Sequence, residues 1–153
     1  MTESNTDCIE KSIELKAPIA RVWRAISDFR EFGQWFGVNL EGPFIPGKTT
    51  RGKITTPGYE HLIMQVVVQQ MEPERLLSFH WYPTAIDPNV DLSKETPTLV
   101  EFKLEATPIG TLLQVTESGF DSIGPKAHEL FKRNDAGWAG QMKNIEAYVT
   151  NAR

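Results

Sequence analysis

One cysteine in 153 residues, Cys8, excludes an intramolecular disulfide and any site built on several thiolates. It reads as a small strand residue near the start. The three histidines, His61, His80 and His128, fall in different segments without the short spacings that hold a metal, so neither a metal nor a cofactor is expected. Basic residues are in the minority, 16 Lys and Arg against 20 Asp and Glu for a net charge of −4, which leaves no electrostatic footprint for nucleic acid. No stretch approaches the roughly 20 apolar residues needed to span a bilayer. Met1 to Asp7 are polar and acidic, lacking the basic start and apolar run of a targeting peptide. Residues 1–7 are therefore expected to be a disordered tail on a cytoplasmic protein. What is present, 40% apolar and 24% charged residues, suffices for one core under a solvated surface, a single domain over 1–153.

Ile9, Lys11, Ile13 and Leu15 alternate with Glu10, Ser12, Glu14 and Lys16, the period of a half-buried strand. Pro18 then opens a helix to about Asp28, with Ile19, Val22, Trp23 and Ile26 at helical spacing. Phe29, Phe32, Trp35 and Phe36 predict a second short helix ended by Gly37. Strands follow at about Lys48–Thr55, Leu62–Met71, Leu76–Tyr82, Thr98–Thr107 and Thr111–Ser118, punctuated by Pro46-Gly47, Pro57-Gly58, Pro83 and Ile109-Gly110. A further short strand is placed near Val38–Glu41. Alternation turns Leu77, Phe79 and Trp81, and likewise Val100, Phe102 and Leu104, inward, which leaves His80 on the outer face. The proline-rich segment Tyr82–Pro97 reads as a long loop and a candidate lid.

After a cap at Asp121 or Ser122 and a start at Pro125, Ala127, Leu130, Phe131, Asn134, Trp138, Met142, Ile145 and Val149 keep helical spacing nearly to the end. At about 1.5 Å per residue this helix runs roughly 35–40 Å, enough to cross a small domain. A sheet with one apolar face must be covered, and only this helix is long enough to do it. The expected fold is α+β, a helix-grip: a curved antiparallel sheet of six or seven strands wrapped around a long C-terminal helix, with two short helices after the first strand.

Ala17-Pro18 with Val22-Trp23-Arg24-Ala25-Ile26-Ser27-Asp28 begins a series continued by Gln34-Trp35-Phe36-Gly37, Pro46-Gly47-Lys48 and Glu72-Pro73-Glu74-Arg75-Leu76. Phe79-His80-Trp81, Val100-Glu101-Phe102 and Gly137-Trp138 complete it. In order and spacing the series resembles domains similar to the activator of the ninety-kilodalton heat-shock chaperone's ATPase. That family lies within the SRPBCC, START-like and birch-pollen-allergen-like superfamily, and the match covers almost the whole chain. The resemblance implies a helix-grip fold with a cavity between sheet and C-terminal helix. Members of the superfamily look like lipid or polyketide binders, polyketide cyclases and chaperone regulators. The implied partner is thus a hydrophobic small molecule, with a chaperone as the alternative.

A ligand cavity needs apolar walls and a few orienting polar groups. The inward candidates are Trp35, Phe36, Met64, Val66, Phe79, Trp81, Phe102, Phe131, Trp138 and Met142, with Asn134 as a hydrogen-bonding group. The same residue types at the same spacing also build ordinary cores. Gly137 and Gly140 each cost about 1 kcal/mol relative to Ala inside a helix, which asks for a reason: close packing, room for a ligand, or a bend. There is no nucleophile beside a base, no carboxylate pair and no phosphate loop, so no catalytic residue is assigned. Glu60, Glu72, Glu101, Glu105 and Glu117 are placed on strand ends or solvent faces. Only a different strand register would turn Arg51 and Glu117 inward, and a buried Arg–Glu pair would reopen an enzymatic role. The expected function is binding of a lipid-, sterol- or polyketide-like molecule. The alternatives are a chaperone-regulating interaction module and a polyketide-cyclase-like enzyme.

Overall fold

The computed structural model describes residues 8–82, 96–120, 123 and 127–151. The expected tail 1–7, most of the candidate lid and the capping positions Asp121, Ser122 and Pro125 lie outside these residues. The described elements are β1 (Cys8–Leu15), α1 (Ile19–Ser27), α2 (Phe29–Phe36), β2 (Val38–Leu40), β3 (Thr49–Ile54), β4 (Ile63–Glu72), β5 (Leu76–Trp81), β6 (Thr98–Thr107), β7 (Gly110–Ser118) and α3 (Ala127–Asn151). Every strand read from the β-rich segment is present, and each bound lies within one residue of the expected one.

Asp28 separates the two short helices. Its extended backbone ends α1, and its carboxylate accepts hydrogen bonds from the backbone N–H groups of Arg30 (2.9 Å) and Glu31 (3.3 Å), capping α2. Gly37, at φ 95° and ψ 43°, takes the left-handed turn that stops α2 and sends the chain into β2. Glu31 fastens the pair together by accepting from Arg21 and Arg24, each at 2.7 Å.

The seven strands form one antiparallel sheet in the order β1-β7-β6-β5-β4-β3-β2. Strands β2 to β7 make a meander, and β1 returns to pair along the whole length of β7, from Cys8 opposite Ser118 to Leu15 opposite Thr111. The register breaks between Val68 and Gln70 opposite β5, a bulge of the kind that bends a strand and adds twist. Cross-strand partners share a face, so Val68, Phe79, Val100 and Glu117 form one inward row, flanked on one side by Val66, Trp81 and Thr98 and on the other by Leu77, Phe102 and Val115.

Along α3, Trp138, Met142, Ile145 and Val149 are buried at i, i+4, i+7 and i+11, the stripe that faces the sheet. Lys11 of β1 pairs with Asp135 of α3 at 3.1 Å on the flank. The space inside the grip is filled by rings from α2 and the sheet. Phe32 is fully buried, with ring centroids of Trp35 and Phe36 at 4.9 Å, Phe44 at 5.4 Å, Phe102 at 6.3 Å and Phe79 at 6.4 Å. Among the described residues no helix is long and apolar enough to cross a membrane.

Candidate functional site

Open space lies at one end of the seam between sheet and helix. The spacing i, i+3, i+4, i+7 puts Asn134, Gly137, Trp138 and Gln141 on one face of α3. Opposite them stand Phe36 at the end of α2 and Trp81 at the end of β5. These six residues line a cleft of about 160 Å³. A second space of about 370 Å³ shares Phe36, Trp81, Asn134 and Gly137 with it and extends past Met64, Tyr59 and Arg133. The indoles of Trp81 and Trp138 are stacked, with centroids 5.6 Å apart at 29°. Phe36 meets both edge-on, at 5.8 and 6.0 Å. The walls are therefore aromatic faces held in fixed orientation by one another.

Glu117 lies under this floor and is fully buried. Its Oε2 accepts hydrogen bonds from Trp81 Nε1 (2.7 Å) and Thr98 Oγ1 (2.5 Å). Its Oε1 accepts from Trp138 Nε1 (2.8 Å), and the Asn134 Nδ2 group donates to both oxygens at 3.1 and 3.2 Å. An indole N–H and an amide NH2 can only donate, and an ionised carboxylate can only accept, so the set is matched in polarity throughout. The carboxylate ties together three elements, β5, β6 and α3, and fixes both tryptophans from behind. This corrects the expectation that Glu117 sits on a solvent face. The Arg–Glu pair that a different register would have made does not form, since Arg51 is exposed on β3. A sequence signal for Glu117 existed: Leu113 and Val115 are inward, and Glu117 is the next residue in the same period of two.

Of the residues singled out from sequence, Phe36, Met64, Trp81, Asn134 and Trp138 meet at the open space. Trp35, Val66, Phe79, Phe102 and Met142 are packed into the core, with the Trp35 indole donating to the Ala25 carbonyl at 2.8 Å. Phe131 packs edge-on against Phe120 at 5.4 Å. Gln141 was not among the candidates; its Nε2 donates to the Phe36 carbonyl at 3.0 Å and its Oε1 accepts from Asn144 at 3.0 Å. A Cβ placed on Gly137 or Gly140 would meet nothing within 4 Å, so close packing explains neither glycine. His80 lies on the outer face, hydrogen-bonded through Nδ1 to Gln69 at 2.7 Å. Among the described residues no group of three or more His, Cys, Asp or Glu is placed to hold a metal ion.

The family described as Activator of Hsp90 ATPase homolog 1-like protein matches residues 16–150. No curated protein matches the chain. Among solved structures, protein MLL2253 from Mesorhizobium loti is similar at 20% identity and TM-score 0.75, covering 95% of this chain and 98% of that one. A protein from Arthrobacter aurescens is similar at 16% identity and TM-score 0.80, covering 99% and 91%. The Aha1 dimer from Colwellia psychrerythraea is similar at 15% identity and TM-score 0.72, covering 93% and 95%. At these identities the structural likeness shows the fold alone, the helix-grip of sheet and C-terminal helix.

Proposed function

We propose that this chain, which belongs to the Activator of Hsp90 ATPase homolog 1-like family, binds a small, largely apolar molecule in the cleft between β5, the end of α2 and the first half of α3. One observation carries the proposal: Phe36, Trp81 and Trp138 converge on open space that has Asn134 and Gln141 as its polar groups. Aromatic walls with a few oriented polar groups are what a small-molecule site requires. The two adjoining spaces, about 160 and 370 Å³, are together large enough for a fused-ring guest. The ring-filled interior supports entry at the end of the seam rather than into a closed chamber under α3.

The same geometry favours binding over the cyclase-like alternative. Among the described lining residues no carboxylate, histidine or thiol reaches the open space, and the phenols of Tyr59 and Tyr82 and the Arg133 guanidinium border only its larger part. The test is calorimetric titration with a neutral fused-ring aromatic, 2-naphthol, against the wild type and Trp138→Ala. Saturable one-to-one binding that weakens in a variant with unchanged far-ultraviolet dichroism supports the proposal. Equal affinity in both proteins moves the site elsewhere and refutes it.

A further inference from the structure

We infer that the smaller cleft prefers a flat aromatic guest carrying a positive charge, such as a ring-nitrogen cation, over its neutral isostere, because a carboxylate without a countercharge stands behind its walls. The inference rests on the binding role proposed above and adds the charge of the guest. Glu117 is fully buried, and a buried charge is ordinarily paired with an opposite one. Among the described residues it has no such partner: the four ion pairs present join Lys11 to Asp135, Arg21 and Arg24 to Glu31, and Arg75 to Glu72. Its partners are instead four neutral donor groups, from Trp81, Thr98, Asn134 and Trp138, which satisfy its lone pairs and leave its charge in place.

Two of those donors are the indoles that line the cleft. Each indole has a single N–H, the most positive point of its edge, and each directs it at Glu117, at 2.7 and 2.8 Å. The open space meets the rest of each ring system, whose faces are negative, and a hydrogen bond to an anion polarises the ring further in that sense. Phe36 adds a third ring, edge-on to both. A cation over these rings is attracted by their quadrupoles and by the full negative charge at their far edge, through protein rather than water. The six residues lining the smaller cleft carry no charge of their own to oppose it. Arg133 is exposed and borders only the larger space, so the cationic part of the guest belongs in the smaller cleft. Glu117 sets this preference from beneath the floor while touching no guest itself.

The experiment titrates the full chain by calorimetry with 1-methylquinolinium, 4-methylquinoline and 2-naphthoate, bicyclic molecules that differ chiefly in charge. The buffer is mildly alkaline, so that 4-methylquinoline is neutral, and holds about 0.15 M salt, which screens surface charges beyond about 8 Å. The cation should bind about five- to thirtyfold tighter than the neutral quinoline, the worth of a cation over rings shielded from water, and the naphthoate should bind weakest. Equal affinities for the cation and the neutral quinoline, or a preference for the neutral one, overturn the inference while leaving a cleft that still binds aromatics. Naphthoate binding tightest also overturns it and assigns the charge preference to Arg133. No binding of any of the three overturns the cleft proposal and the inference with it. Glu117→Gln keeps the size of the side chain and removes its charge, so the ratio of cation to neutral affinity should fall at least about threefold. A ratio unchanged in folded Glu117→Gln protein refutes the role of the carboxylate. The wild-type series decides the charge preference even where that variant fails to fold.

Discussion

A glycine in a helix interior costs about 0.8–1.0 kcal/mol relative to alanine, and α3 carries two, Gly137 and Gly140. With no atom within 4 Å of a Cβ at either position, alanine enters both without a clash, and the backbone at neither has a positive φ. Gly137→Ala and Gly140→Ala should therefore each stabilise the domain by about that amount, raising the melting temperature roughly 2–4 °C in a protein of this size. The two positions part company in the next step. Gly137 lines both spaces of the candidate site and Gly140 lines neither. Gly137→Leu projects a branched side chain between Phe36 and Trp81, where the fused-ring guest is proposed to sit. Its affinity for 2-naphthol should fall more than about tenfold, over ~1.4 kcal/mol, while Gly140→Leu leaves affinity unchanged. Thermal unfolding by far-ultraviolet dichroism and calorimetric titration read the two quantities separately. A lower melting temperature for either alanine variant would show that something meets the new methyl. Undiminished binding in folded Gly137→Leu would show that the space at Gly137 is not where the guest lies.

Glu117→Ala leaves two indole N–H groups, the Thr98 hydroxyl and the Asn134 amide without their acceptor, at about 1–3 kcal/mol for each group water cannot reach. A loss of at least ~3 kcal/mol in urea unfolding is expected, with tryptophan emission shifted to longer wavelength; a loss under ~1 kcal/mol would mean that solvent already serves these donors. Asp28→Ala removes the cap of α2 and should cost about 1 kcal/mol in the same assay, whereas Asp28→Asn should recover most of it. Burial pushes the Tyr148 phenol above its ordinary 10.0, so the native chain holds that proton to higher pH than the unfolded one. The associated stability is complete below about pH 10 and is lost as pH rises through the native value, so Tyr148→Phe should flatten the alkaline arm of a urea-midpoint profile. An identical arm in both proteins would assign the fall to other groups.

The fold was legible because its two periods are clean over long segments. Val100, Phe102 and Leu104 keep one face for the length of β6, and Trp138, Met142, Ile145 and Val149 keep one stripe of α3, so neither element could be read as the other kind. The candidate site was legible only in part. Phe79 and Trp81 are both aromatic, two residues apart and on the same face, yet Phe79 is sealed in the core while Trp81 borders open space. What separates them is where α2 ends above the sheet, a tertiary fact that no local pattern carries. Glu117 was hidden by the pair Leu112-Leu113, which lets either register of β7 look apolar, and by the ordinary rule that a glutamate near a strand end faces water. A fully buried carboxylate is a costly way to complete a core, and an apolar residue of the same size would fill the volume without any need for matched donors. What the carboxylate does that such a residue cannot is hold two indoles and an amide in one orientation from behind. Of the buried polar side chains, Glu117 is therefore the one whose presence is better explained by the cleft above it than by the core around it.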